Sequence, residues 1–167
     1  GEACTADATC ASGFCSDGVC CITACKGGCD RCDLPGKVGT CTVTAAADPG
    51  ANPTCGAYIC DGASAPCPTS CGSDAACAPA FYCATNGTCK PRKELAGACN
   101  VQANCKQPGC RECASGNCAD GVCCDTPCSG CMACVAALKS TGGDGTCGPV
   151  RQAVSYTHLR AHETVLD

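Results

Sequence analysis

About one residue in six of this chain is cysteine, 27 among 167. That is well above the density that marks a disulfide scaffold in a short chain. The rest of the composition leaves few other ways to hold a fold together. The apolar fraction of 46% is inflated, because cysteine and alanine supply 27 residues each and only 22 larger apolar side chains remain. There is no Trp, and Phe and Tyr number two and three. A chain of this length ordinarily buries a sizeable core, and this one lacks the material. Cross-links must stand in for burial, each contributing about 2–4 kcal/mol. The expected fold is a small disulfide-rich protein of short β-hairpins and loops with little helix, its modules in an elongated tandem. Disulfides persist in oxidising compartments, which predicts a secreted or cell-surface location. A net charge of −4 gives no attraction to nucleic acid. No apolar run approaches membrane-spanning length, so no membrane insertion is expected of this stretch.

The stretch CASGFCSDGVCC, residues 10–21, returns as CASGNCADGVCC, residues 113–124, identical at ten of twelve positions. Asp17-Gly18 suits a two-residue type I′ turn, which needs positive φ at both central residues. Ser16 and Val19 then flank the turn, and Cys15 faces Cys20 across the ribbon. Opposite residues on paired strands share one face. Both sulfurs present themselves to whatever covers that face, and the preceding segment with Cys4 and Cys10 is the candidate cover. This predicts crossed bridges, Cys4 with Cys15 and Cys10 with Cys20. Cys21 follows directly and points the other way, toward the next module.

Taken in order, residues 1–55 form a first repeat. Cys4, Cys10, Cys15 and Cys20 make a four-cysteine unit, and Cys21, Cys25, Cys29, Cys32 and Cys41 follow. Residues 45–53 are a loop by composition, and Cys55 is expected to return to Cys41 across it. Residues 56–96 form a middle module. Its first part reads as a hairpin closed by Cys60 and Cys67 around Asp61-Gly62. Its second part repeats the four-cysteine unit, with Cys71 paired to Cys83, Cys77 to Cys89, and Asn86-Gly87 in place of Asp17-Gly18. Lys90, Arg92 and Lys93 read as a solvated basic linker. Residues 97–153 are the second repeat, cut short. Here Cys105 matches Cys10, and Cys99 pairs with Cys118 as Cys4 does with Cys15. Cys110 forms an extra pair with either Cys105 or Cys113. Cys118, Cys123, Cys124, Cys128, Cys131, Cys134 and Cys147 match Cys15, Cys20, Cys21, Cys25, Cys29, Cys32 and Cys41.

The last residues, 154–167, break with this pattern. They hold both histidines, His158 and His162, and no cysteine. The string VSYTHLRAHET, residues 154–164, resembles a translated sequencing adapter of the transposase mosaic-end type, in one reading frame, and the adapter's preceding bases fit Ala153. No function is read from it, and the chain is expected to be a fragment. Twenty-seven cysteines cannot all pair within one chain. The step from Cys41 to Cys55, repeated from Cys147, lands on Ala161 inside this string. Cys147 is therefore the expected unpaired cysteine.

Metal binding is the rival to disulfides. Cys110-x2-Cys113 and Cys131-x2-Cys134 have a zinc-ribbon spacing, and Cys128-x2-Cys131-x2-Cys134 has that of an iron–sulfur run. Yet the first repeat has no counterpart of Cys110, and its Cys25-x3-Cys29-x2-Cys32 is spaced differently, whereas a shared cluster would need fixed geometry. The favoured reading has no metal site and no cofactor. Catalysis has no foothold either: outside 154–167 there is no His to activate a Ser or Cys. The Cys-x2-Cys pairs are better read as bridges than as thiol-exchange centres. Asp17, Asp61 and Asp120 read as turn formers, and Asn86-Gly87-Thr88 as a turn rather than a glycosylated sequon.

The C-x5-C-x4-C-x-D-G-V-C-C…G-T-C pattern, over residues 1–153, resembles the secreted cysteine-rich repeat proteins of myxobacteria and their relatives. The unit at 71–89 is similar to the Dickkopf N-terminal cysteine-rich domain, and the stretch from Cys20 to Cys41 to a furin-like cysteine-rich module with a shortened middle loop. These resemblances imply an extracellular or surface role and carry no catalytic residue over. The expected function is a non-enzymatic cysteine-rich repeat, a binding module for an extracellular protein or glycan or a structural spacer. The alternative is a zinc or iron–sulfur metal-thiolate protein.

Overall fold

The computed structural model of the chain describes residues 1–51, 53–100, 105 and 110–151. The adapter-like string, both histidines and Ala161 lie outside these residues. The fold is that of a small disulfide-rich protein. Among the described residues there is no α-helix, only two-stranded antiparallel ribbons and single 3₁₀ turns. No helix there is long and apolar enough to cross a membrane.

The chain divides into two compact units, Gly1–Pro91 and Arg92–Asp167. The first carries three ribbons: β1 (Cys15–Ser16) with β2 (Val19–Cys20), β3 (Asp30–Arg31) with β4 (Thr42–Val43), and β5 (Phe81–Cys83) with β6 (Cys89–Pro91). The second carries two among its described residues: β7 (Asn117–Ala119) with β8 (Val122–Cys124), and β9 (Met132–Ala133) with β10 (Gly148–Pro149). The turn chemistry sets the first ribbon of each repeat. Asp17 and Gly18 both have positive φ, at 54° and 78°, as do Asp120 and Gly121 at 52° and 81°. Cys15 consequently faces Cys20, and Cys118 faces Cys123. The middle unit departs from this. Its ribbon pairs Cys83 with Cys89 around a longer loop, in which Gly87 alone takes positive φ and Asn86 Oδ1 accepts the Thr88 N–H.

The core is made of sulfur. Of the buried apolar residues among those described, only Tyr82, Ala84 and Ala133 are not cysteine. Thirteen disulfides use 26 of the 27 cysteines. Cys4 joins Cys15 and Cys10 joins Cys20; Cys71 joins Cys83 and Cys77 joins Cys89. These are the crossed pairs that two facing sulfurs under one covering segment predict. Cys99 joins Cys118, and Cys113, not Cys105, takes the role of Cys10 by joining Cys123. The extra pair is Cys105–Cys110.

Other expected pairings are corrected. Cys41 bonds Cys25 rather than Cys55, and Cys55 bonds Cys67. Cys60 does not close a local hairpin with Cys67; it reaches back to Cys29. Residues 56–67 form no ribbon of their own. Asp61 instead caps a tight turn by accepting the N–H groups of Ala63 and Ser64. The expected boundary after residue 55 is crossed by Cys29–Cys60 and by a backbone bridge between Gly28 and Pro66. The first repeat and the middle module are thus one unit. Cys147 is bonded, to Cys128, and the free cysteine is the exposed Cys131. For Cys41 and Cys55 the physical reason is that nearness along the chain is not nearness in space. Ribbon β3–β4 folds Cys41 back beside Cys25, leaving Cys55 for another partner.

The basic stretch is solvent-exposed at Lys90 and partly so at Lys93, as expected, but it is folded into the structure rather than a free linker. Lys90 and Pro91 belong to β6. Lys93 Nζ lies 2.7 Å from Glu112 Oε1, and Arg92 donates to the Arg111 carbonyl. Glu112 is buried, and its other oxygen accepts the Asn100 N–H.

Candidate functional site

The two repeats build the same small platform, and its local rules are visible in paired contacts. Asp17 Oδ2 accepts the Cys32 N–H at 2.8 Å; Asp120 Oδ2 accepts the Cys134 N–H at 2.7 Å. The turn aspartate therefore ties the first ribbon of each repeat to the next bridge. Cys21–Cys32 and Cys25–Cys41 have their counterparts in Cys124–Cys134 and Cys128–Cys147. The Gly39 N–H donates to the Cys32 carbonyl and the Gly145 N–H to that of Cys134. Asp30 pairs with Val43 as Met132 pairs with Pro149. Just beyond, the Thr44 N–H donates to the Cys29 carbonyl and the Val150 N–H to the Cys131 carbonyl. Cys29 and Cys131 thus occupy one position on one platform.

Their surroundings differ. In the first unit Cys29 is fully buried, in a cluster with Cys55 and Cys60 on which Tyr58 and Cys67 pack. The overlying chain is also held by its backbone: the Cys29 N–H donates to Ala65 O, the Cys67 N–H to Gly27 O, and the Ala51 N–H to Gly28 O. In the second unit Ser129, Gly130, Cys131 and Met132 are exposed.

The first unit also carries a groove of about 490 Å³, lined by Ala46, Ile59, Asp61, Ser73 and Ala76 among others. That volume is in the range of small-ligand sites. The Asp61 carboxylate is held below the usual range by the Ala63 and Ser64 N–H groups, so its charge is engaged in its own turn. The groove offers hydroxyls and small apolar groups and no acid–base pair.

Triplets of sulfurs lie within 4.8 Å of one another, including Cys29, Cys55 and Cys67, and Cys105, Cys110 and Cys118. Every one of these six is in a disulfide. A bonded sulfur is not the thiolate that zinc or an iron–sulfur cluster requires. The zinc-like quartet is divided the same way. Cys110, Cys113 and Cys134 are bonded to Cys105, Cys123 and Cys124, and Cys131 stands apart.

Sequence reasoning missed two kinds of residue. Asp7 and Asp74 each start a 3₁₀ turn and accept, through Oδ1, the N–H of Cys15 and Cys83. Each stands three residues before Cys10 or Cys77, a shared D-x-x-C spacing that was there to be read. Lys139 gave no such signal. It is buried, and its ammonium donates to the carbonyls of Gly143 and Thr146, filling the inside of the enlarged loop of the second repeat.

Comparison with known protein families, curated proteins and solved structures gives no match.

Proposed function

We propose that this chain is a non-enzymatic cysteine-rich repeat of the extracellular space or cell surface, acting as a binding module or structural spacer. The observation that carries the proposal is the pairing of 26 of 27 cysteines. Such a chain keeps its fold only where thiols stay oxidised. The resemblance to secreted myxobacterial cysteine-rich repeats, and of single modules to Dickkopf and furin-like domains, points the same way. Repetition of one rigid platform with different loops on it suits a scaffold whose loops meet an extracellular protein or glycan. The groove beside Ile59 is the first place to look for a small ligand.

The test is intact mass of the protein from an oxidising compartment, before and after alkylation without reduction, together with metal analysis. One alkylated cysteine and no stoichiometric metal is the expected result. Many alkylatable thiols with bound zinc or iron would replace the proposal by the metal-thiolate reading.

A further inference from the structure

We propose that the exposed face around Cys131 is a disulfide docking site for a segment of the kind formed by residues 45–67, one that carries an internally bridged loop and a separate free thiol. This deepens the reading of an oxidised repeat and rests on it. The observation behind it is the internal comparison. The platform is repeated through Thr44 and Val150. In the first copy Cys29 is bridged to Cys60, beneath a loop closed by Cys55–Cys67. In the second copy its counterpart Cys131 is free and exposed.

The glycine before that cysteine is also repeated. Gly28 and Gly130 both take positive φ, at 90° and 69°. At Gly28 a side chain is excluded by the incoming segment as well, since a Cβ would lie 2.4 Å from Cys67 Sγ and 2.8 Å from Pro53 O. At Gly130 nothing among the described residues lies within 4 Å of that point, so none of them fills the space that the segment takes in the first copy. Among these 167 residues the other 26 cysteines are already paired. The step from Cys41 to Cys60, repeated from Cys147, lands on Leu166.

The chemistry is disulfide exchange with a small-molecule disulfide as oxidant. The Cys131 thiolate attacks glutathione disulfide, forming a Cys131–glutathione bond and releasing one glutathione thiolate. The thiolate of the docked segment then attacks Cys131 Sγ and expels the second glutathione. Two protein thiols are oxidised, one glutathione disulfide is reduced to two glutathione thiolates, and these take up, through solvent, the two protons the protein thiols lose. Backbone pairing to residues 129–131 supplies the selectivity, as it does over Cys29.

The probe is a synthetic peptide of residues 45–67 with Cys55 and Cys67 bridged and Cys60 free. It is mixed with the full chain in a glutathione redox buffer. The comparison peptide keeps the three cysteine positions and scrambles the rest. The 45–67 peptide should couple to Cys131 at least about tenfold more than the scrambled one, the ratio that one or two net backbone hydrogen bonds provide. Peptide mapping should show a Cys131–Cys60 bond, and Cys131→Ser should abolish coupling. Equal coupling of both peptides, a Cys131–Cys131 dimer of two copies outcompeting the peptide, a cap of glutathione alone, or coupling that survives Cys131→Ser would each overturn the docking site. Thiol titration before peptide is added separates this from failure of the oxidised-repeat reading. One free thiol that ignores the peptide sinks only the docking site, whereas many free thiols sink the reading beneath it.

Discussion

Removing the Cys29–Cys60 bridge, by Cys29→Ala together with Cys60→Ala, is the sharpest test of how this fold is held. The bridge spans 31 residues of chain. The neighbouring Cys25–Cys41 bridge offers a shortcut, so the shortest remaining path between the two positions is about 24 residues, and the loop entropy released is about 3.5 kcal/mol. Both residues are buried in the same cluster, so no solvent rescue offsets the loss. For a unit of this size one kcal/mol moves the melting temperature by about 4–8 °C, giving a fall on the order of 15–25 °C. Cys131→Ala is the internal control. It alters the equivalent position where no bridge exists, and an exposed change of this sort costs under about 0.5 kcal/mol. The assay is thermal and guanidinium unfolding of both variants, followed by far-ultraviolet circular dichroism and by tyrosine fluorescence, since Tyr58 packs on this cluster. A loss below about 1 kcal/mol in the double variant would refute the reasoning. So would an equal loss in Cys131→Ala.

Two further outcomes are expected. Lys139→Met keeps the stem but leaves the carbonyls of Gly143 and Thr146 without their buried donor. It should cost about 1–3 kcal/mol, read as a lower denaturant midpoint for the second unit; no change would mean water replaces the ammonium. Asp125 is held below the usual carboxylate range, chiefly by the Cys147 N–H and then by the Thr126 N–H and hydroxyl. A carboxylate with a depressed folded pKa stabilises fully above its unfolded value, near 3.9, and the gain is lost as pH falls through the folded pKa. Asp125→Asn should therefore flatten the loss of stability below about pH 4 in denaturant titrations. An unchanged acid limb would show that the contact does not matter.

The parts legible in the sequence were those fixed by a turn. Asp17-Gly18 dictates a register, the register puts Cys15 opposite Cys20, and the crossed bridges follow. Where no turn fixes the backbone, spacing misleads. Cys41 and Cys55 are separated by a composition that reads as a closing loop, yet β3–β4 carries Cys41 back to Cys25. Cys29–Cys60 was hidden for a different reason. It depends on the middle segment lying over the first platform, which no local pattern encodes. The odd cysteine was legible as a fact and misplaced as a residue. Assigning it required knowing which bridge of the first repeat reaches into the next segment.

The adjacent pair Cys20-Cys21 binds backward to Cys10 and forward to Cys32. One consequence is mechanical. A tensile load on the chain between Cys4 and Cys67 need not pass along the backbone. It can cross Cys4–Cys15, follow the ribbon to Cys21, cross to Cys32, and go on through Cys29–Cys60 and Cys55–Cys67. That covalent route is about 70 Å when taut, against about 220 Å for the same chain without bridges. Pulling on the oxidised Cys4–Cys67 stretch can therefore extend it to only about a third of its contour, and the remainder stays locked until a reductant opens it.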